Sequence, residues 1–326
     1  MTGGAFFAVG RPCFNATVRN FHEGEARLQA EFGIDTTSFD AAVAESFVPD
    51  LKPNEVEFVQ DLTFAVATSM DSDGRPWTSP LFGPARRLFA VESPTTIRIS
   101  HLAANGDLLS ANIGANGQLG VLYFDPSRRR RAKSLGSGSL LPDGTIRYQM
   151  TRNFGLCPKY IFKRSHEHVV HPDRADIAHA AGARLSDTDQ QQLGRADTIF
   201  VGSFHDGHGA DASHRGGPPG FVAVVDETTI RIPDYPGNDM FNTLGNLQLN
   251  PRLSLLSVDF STGRTIQATG IATLDRTPNA EATGRALILS VELVRVTWAH
   301  AGIWDDLEPY PRHPGQNPNN QPGDHL

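Results

Sequence analysis

Cysteine is nearly missing from this 326-residue chain; only Cys13 and Cys157 occur. Two thiols so far apart make no disulfide framework, and a cytoplasmic location is the expectation. Long apolar runs are missing too. No stretch is long enough to span a bilayer. The start, Met1-Thr2-Gly3-Gly4-Ala5-Phe6-Phe7, has no basic region leading into an apolar core, so no signal peptide is read. Positive charge is in deficit. With 29 Lys and Arg against 36 Asp and Glu, the net charge of −7 argues against a general nucleic-acid binder. No strand-Gly-x-Gly-x-x-Gly-helix unit occurs, so nothing resembles a dinucleotide-binding fold. What remains is an ordinary globular composition, 39% hydrophobic and 20% charged, in a chain long enough for about two domains.

The chain says nearly the same thing twice. Thr95-Thr96-Ile97-Arg98-Ile99 recurs as Thr228-Thr229-Ile230-Arg231-Ile232. Before each copy lie an apolar run, a polar turn and a Gly/Pro segment: Phe64 to Thr68, Asp73-Gly74 and Ser79 to Pro84, then Ile199 to Ser203, Gly207 to Gly209 and Ser213 to Pro218. After each comes another strand-like run, Leu119 to Asp125 and Leu253 to Asp259. A period this long means two copies of a whole domain, not a solenoid.

Apolar spacing predicts helix over 17–47, broken at Gly33, and a short helix over 54–61. Strands are expected at 62–69, 76–82, 86–91, 95–100, 118–124, 131–138 and 145–150, with a short helix within 104–117. A second set is expected at 198–204, 210–214, 221–225, 228–233, 252–259, 264–274 and 285–297, with a helix within 238–249. Asp73-Gly74 and Asp143-Gly144 are hairpin turns. The expected division is an N-terminal helical segment (1–55), a first barrel (56–171), a linker (172–196), a second barrel (197–308) and a Pro/Asn/Gly-rich tail (309–326) without order. Many short strands with few helices make the fold mainly β, two tandem small barrels.

The second copy carries Ser213-His214-Arg215-Gly216-Gly217-Pro218-Pro219-Gly220-Phe221-Val222. Pro233-Asp234-Tyr235-Pro236-Gly237-Asn238, Phe241-Asn242-Thr243-Leu244-Gly245-Asn246-Leu247, Asn250-Pro251-Arg252 and Val258-Asp259-Phe260 follow. Upstream stand Phe21-His22-Glu23-Gly24-Glu25, Gly74-Arg75-Pro76-Trp77 with Ser79, and Asn153-Phe154-Gly155-Leu156-Cys157-Pro158-Lys159-Tyr160-Ile161. Together these resemble the split-barrel flavin-binding proteins related to pyridoxamine 5′-phosphate oxidase, in the branch that fuses two barrels in one chain. The resemblance spans from Phe21 to about Leu274. It implies two split barrels packed as an intrachain pseudo-dimer, with flavin mononucleotide (FMN) between them.

The residues themselves suit such a ligand. A phosphate needs convergent donors, and Gly237-Asn238 leading into Asn242-Thr243 is a strand-to-helix junction with small polar side chains. Arg215 supplies charge, with Arg264 as a second cation. Gly216 and Gly217 admit a flat ring. Gln267 is placed to meet its polar edge, and Asp234, Tyr235 and Asn246 complete the set with Ser213 and His214. Oxidase members of the family carry two adjacent cations where this chain has Asn242-Thr243. A tight Gly/Asn loop is the plain alternative reading. The first copy has Pro80-Leu81 in place of His214-Arg215, so one site is expected, with Trp77, Ser79 and the Lys159-Tyr160 region on its other wall. His214 and Arg215 are the candidates for electrostatic work on the flavin. The implied activity is an FMN-dependent oxidoreductase acting on a small molecule. Its electrons come from NAD(P)H, a separate reductase or the substrate; a nitro- or quinone-type reductase and a non-catalytic flavin- or haem-binding carrier or sensor are the alternatives. A homodimer is left open.

Other signals are read plainly. His166, His168 and His171 lack a thiolate or acidic partner at ligand spacing, so no metal site is read. His205 and His208 flank a hairpin turn and are expected to be exposed. Arg128 to Arg131 reads as a solvated strand edge, and Cys157 as a packing residue. Trp298, His300 and Trp304 either cap the cavity or bury a barrel end.

Overall fold

The computed structural model describes residues 20–101, 104, 106–167, 180–277, 283–298 and 303–306. The tail 309–326, the first part of the linker (172–179), and His168, His171 and His300 lie outside the described residues.

The fold is mainly β, two tandem split barrels with flanking helices. The first sheet holds β1 (Phe64–Met70), β2 (Pro76–Phe82), β3 (Phe89–Ser93), β4 (Thr96–Ile99), β5 (Gln118–Asp125), β6 (Arg130–Leu140) and β7 (Ile146–Leu156), in the order β2-β1-β5-β6-β7-β4-β3. Two short strands follow, β8 (Arg164–Glu167) and β9 (Ala180–Gly182). The second sheet holds β10 (Thr198–His205), β11 (Gly209–Gly216), β12 (Ala223–Asp226), β13 (Thr229–Asp234), β14 (Arg252–Val258), β15 (Arg264–Asp275) and β16 (Arg285–Trp298), in the order β11-β10-β14-β15-β16-β13-β12. The two orders are the same permutation of equivalent strands. β9 adds to β16, and β17 (Ile303–Asp306) pairs with β8.

The repeat extends to register. Ala67 faces Ser79 and Val121; Val201 faces Ser213 and Leu255. Both sheets carry a bulge at the same place, Leu135/Gly136 and Thr269/Gly270. Only glycine fits there. A Cβ on Gly136 would stand 2.0 Å from the Gln149 carbonyl oxygen, and one on Gly270 2.0 Å from that of Ser290.

Strand faces explain the packing. On β1, Ala65 and Ala67 point into the first core, while Phe64 and Val66 point out. On β10, Ile199 and Val201 point into the second core and Phe200 points out. The outward residues meet in a third apolar cluster joining Phe64, Val66, Phe82, Leu122 and Phe124 to Phe200, Ala212, Leu256, Val258 and Phe260. Strands buried on both faces read as continuous apolar runs, as these do. Burying each such side chain stabilises the pair by about 1.5–3 kcal/mol. The halves therefore form one face-to-face pseudo-dimer.

The helical segment resolves into α1 (Glu23–Glu31), α2 (Thr36–Val43) and a 3-10 turn at Ala44–Ser46, with Gly33 at φ +77° breaking the first two. α3 (Pro53–Asp61) starts on a proline, whose fixed φ suits a first turn. α4 (Leu109–Asn116) lies in the first half. The described part of the expected linker is ordered into β9 and α5 (Asp187–Arg195), whose start is capped by Ser186. Leu185 and Leu193 enter the second core, which is why this stretch packs instead of spanning. α6 (Asn242–Leu247) is one short helix on the second half. No described helix is long and apolar enough to cross a membrane.

Candidate functional site

A cavity of about 930 Å³, counting its open mouth, lies between the halves. The first half contributes β6 through Arg131 and Lys133, and the segment after β7 through Leu156, Cys157, Lys159 and Tyr160. The second half contributes Ser213 to Gly216 on β11, Asp234 and Tyr235, the loop Gly237 to Asp239, and the start of α6 with Asn242 and Thr243. Arg285 closes one side.

Alternation along β6 aims its cations. Ala132 and Ser134 turn into the first half, so Arg131 and Lys133 turn toward the second. Lys133, 3% exposed, donates to Asp211 Oδ1 at 2.6 Å, Ser213 Oγ at 2.8 Å and Asn242 Oδ1 at 3.4 Å. Burial holds the ammonium pKa below its usual value, and the Asp211 carboxylate offsets this only in part. Arg131 Nε donates to the Cys157 carbonyl at 2.8 Å, and its Nη1 lies 2.7 Å from His214 Nδ1. Desolvation brings its pKa down to about 10. Asp234 accepts from both Arg215 (3.3 Å) and Arg285 (2.8 and 3.0 Å).

The charges do not cancel. Five cations line the cavity: Arg131, Lys133, Lys159, Arg215 and Arg285. Against them stand Asp234 and Asp239 on the wall and Asp211 behind Lys133, leaving an excess of two positive charges. Among the described residues Arg131 has no carboxylate partner. Two buried donors at this wall, His214 Nε2 and Arg215 Nε, have no hydrogen-bond partner among the described residues. Buried cations and orphan donors are costly unless an acceptor arrives.

A strap from the first half crosses the cavity. Tyr160, at φ +64°, stacks on Tyr235 with ring centroids 5.4 Å apart and donates its hydroxyl to the Pro236 carbonyl. Lys159 Nζ donates to the Gly237 carbonyl at 3.2 Å. Asp239 and Phe241 also adopt positive φ, so the loop into α6 holds two non-glycine residues in the left-handed region, each at a conformational cost.

The cavity brings together Ser213, His214, Arg215, Gly216, Asp234, Tyr235, Gly237, Asn238, Asn242 and Thr243, with the expected Lys159-Tyr160 region opposite. It does not include six other candidates. Gly217 is sealed: its Cβ would stand 2.6 Å from the Phe221 ring. Gly216 admits no flat ring either, since its open side is filled by the Tyr160 carbonyl, 2.2 Å from a Cβ. Asn246 anchors α6, donating to Ser203 Oγ at 2.9 Å, as Asn112 of α4 donates to Ser69 Oγ. Arg264 binds Asp189 and Gln192 of α5 and borders a different cavity, beside Trp298.

Trp77, Ser79 and Gln267 meet at the pseudo-symmetric position. Strand register makes Ser79 the counterpart of Ser213, Gln267 that of Lys133 and Trp77 that of Asp211. Gln267 Nε2 donates to the Thr78 carbonyl, Ser79 Oγ and Asp107 Oδ2. Trp77 is buried, its indole N–H donating to Asp71 and Arg295 lying 5.6 Å over its ring. An amide and an indole thus stand where the other half has a lysine and an aspartate.

Asn242 and Thr243 are already engaged. Asn242 Nδ2 donates to Glu25 Oε1 at 2.5 Å, and Thr243 Oγ1 to Asp211 at 3.4 Å. Behind them lies a cluster that sequence reading missed. His205 and His208 are half-buried, not exposed as expected: His208 stands edge-on to His22, which stacks on His205 at 4.1 Å. His22, Glu25 and His208 bring ligand-type atoms within 4.8 Å of one another. Their hydrogen bonds oppose metal chemistry. His22 Nδ1 accepts from the Gly24 N–H, so Nε2 carries the proton and donates to Asn246 Oδ1. Arg152 donates to His208 Nδ1 and adds a cation. Burial, with neighbouring charges, drives the His22 pKa to about 4 and that of His208 to about 3, and raises that of Glu25 to about 7. Arg131 and Lys133 were also hidden, Arg131 within a run read as a solvated strand edge and Lys133 not singled out; their i, i+2 spacing on one strand face was the available signal.

No protein family model and no curated protein matches the chain. Among solved structures it is similar to HupZ of Group A Streptococcus, at 15% identity over 32% of this chain and 94% of that one, with a TM-score of 0.27. It is also similar to a FAD-binding protein from Mesorhizobium loti, at 12% identity over 38% of this chain and all of that one, with a TM-score of 0.26.

Proposed function

We propose that the chain is an FMN-dependent oxidoreductase whose cofactor occupies the cavity between the two halves. The observation that carries this reading is the excess of two positive charges in a cavity walled by both barrels. A phosphate monoester is close to a dianion at neutral pH, whereas riboflavin is uncharged. The orphan donors Arg215 Nε and His214 Nε2 fit an acceptor-rich ligand, and the Tyr160–Tyr235 pair offers an aromatic surface. Arg215 and Arg285 would neutralise the phosphate, Arg131 would hold His214, and Lys133 would hold Ser213 and Asn242 in place. The flavin would supply the electron chemistry. Fixed cations around it favour a more negative state without reorganising.

Electrons would come from NAD(P)H, a partner reductase or the substrate, and the substrate would be a small organic molecule. A nitro- or quinone-type reductase is the alternative within this class, and a flavin or haem carrier the alternative outside it. The test is a titration of the purified chain with FMN and with riboflavin, followed by flavin fluorescence. FMN is expected to bind at least about tenfold tighter, the worth of a charge-assisted contact. Equal affinities, or no quenching by either, reject the reading. Stopped-flow reoxidation in air, with and without substrates, separates oxidase, reductase and carrier.

A further inference from the structure

We propose that Arg131 is a positioning residue that locks His214 as a neutral imidazole with its proton on Nε2, and that this N–H is the donor for an acceptor atom of the cavity's ligand. A guanidinium has no acceptor, so Arg131 Nη1, 2.7 Å from His214 Nδ1, donates. Nδ1 therefore carries a lone pair, and the proton of the neutral ring sits on Nε2. The ring packs against the touching pair Phe124 and Phe200, at centroid distances of 4.9 and 5.8 Å, and neither phenyl offers an in-plane acceptor. His214 is 7% exposed, and its Nε2 has no partner among the described residues. Protonation does not resolve this. Burial and the charges of Arg131, Arg215 and Arg164 all disfavour an imidazolium, so the pKa lies well below 6.5. This buried N–H has no protein acceptor among the described residues and gains no second proton, so an acceptor atom entering the cavity that His214 lines has a donor to meet.

The donor selects by chemistry. It suits a carbonyl oxygen, an unprotonated ring nitrogen or an anionic oxygen, and rejects an N–H or hydroxyl hydrogen at that point. Arg131 acts through His214, so replacing it alters what the histidine presents. His214 and Arg131 come from different halves, so the donor exists only in the assembled pseudo-dimer.

The test uses the full chain labelled with 15N-histidine, and its ligand arm rests on the flavin reading above. Long-range proton–nitrogen correlation should show a pyridine-type Nδ1 and a protonated Nε2 for His214. Arg131→Met should give mixed tautomers, and Arg131→Lys, which keeps a donor, should restore one. Added FMN should shift the Nε2–H resonance, and His214→Phe, which fits a pocket of phenyl rings, should weaken FMN binding about tenfold. A protonated Nδ1 in the wild type, or an unchanged tautomer in Arg131→Met, overturns the proposal. So does FMN that binds without moving the Nε2–H or that binds His214→Phe equally well. Absence of FMN binding by the wild type instead rejects the flavin reading and the ligand half with it, while the Arg131 comparison still decides the tautomer.

Discussion

Burial of Glu25 outweighs the hydrogen bonds it accepts and gives stability a distinct pH dependence. Glu25 is 3% exposed, accepts from Asn242 and the His22 backbone N–H, and has its pKa raised by desolvation from 4.5 to about 7. The folded chain therefore keeps a proton on Glu25 between about pH 4.5 and 7 that the unfolded chain has released. Stability from this group is present at low pH and is lost as pH rises through that window, by on the order of 1.4 kcal/mol per pH unit and 3 kcal/mol in all. His22 and His208 act oppositely. Their folded pKa values, about 4 and 3, lie below 6.5, so their contribution is present above pH 6.5 and is lost as pH falls. Two protons bound by the unfolded state oppose one bound by the folded state. Glu25→Gln removes only the latter, keeping the shape of the neutral carboxyl. Urea unfolding of both proteins at several pH values from 5 to 6.5 is the assay. The variant's stability should rise with pH more steeply than the wild type's by about 1.4 kcal/mol per unit. Equal slopes would refute the claim that Glu25 holds a proton in the fold.

Three further outcomes are expected. Lys133→Met leaves Asp211 buried and unpaired, and should lower unfolding free energy by about 3–5 kcal/mol in urea titrations, with Asp211→Asn on top recovering part of the loss. Arg215→Ala should weaken FMN binding by about 2 kcal/mol by fluorescence titration, whereas Leu81→Ala, at the equivalent place in the first half and fully buried, should cost about 2–5 kcal/mol of stability and leave flavin affinity near wild type. Arg264→Ala breaks contacts to α5 and should lower the melting temperature without changing flavin affinity; a loss of affinity matching that of Arg215→Ala would return Arg264 to the site.

The duplication, the strand sets, the break at Gly33 and the helix within 238–249 were legible because each has a local cause: alternation, hairpin turns, positive φ and apolar spacing. The Thr-Thr-Ile-Arg-Ile repeat belongs to that level; the two Gly bulges emerged only from strand register. Which residues share a wall was not legible either. The motif order put Gln267, Trp77 and Ser79 beside Arg215, yet a twofold pseudo-dimer has two equivalent crevices, and each strand reaches the one built by the opposite half. Register sends Gln267 to Ser79, and Lys133 to Ser213. No local pattern distinguishes these pairings, because which crevice a strand faces depends on how two sheets dock. The same holds for His22 meeting His208 and Asn246 across most of the chain. Sequence alone determined what each strand is and which face is apolar. Tertiary packing alone decided that Arg131 turns inward against His214, because only the second barrel makes the outside of the first an interior.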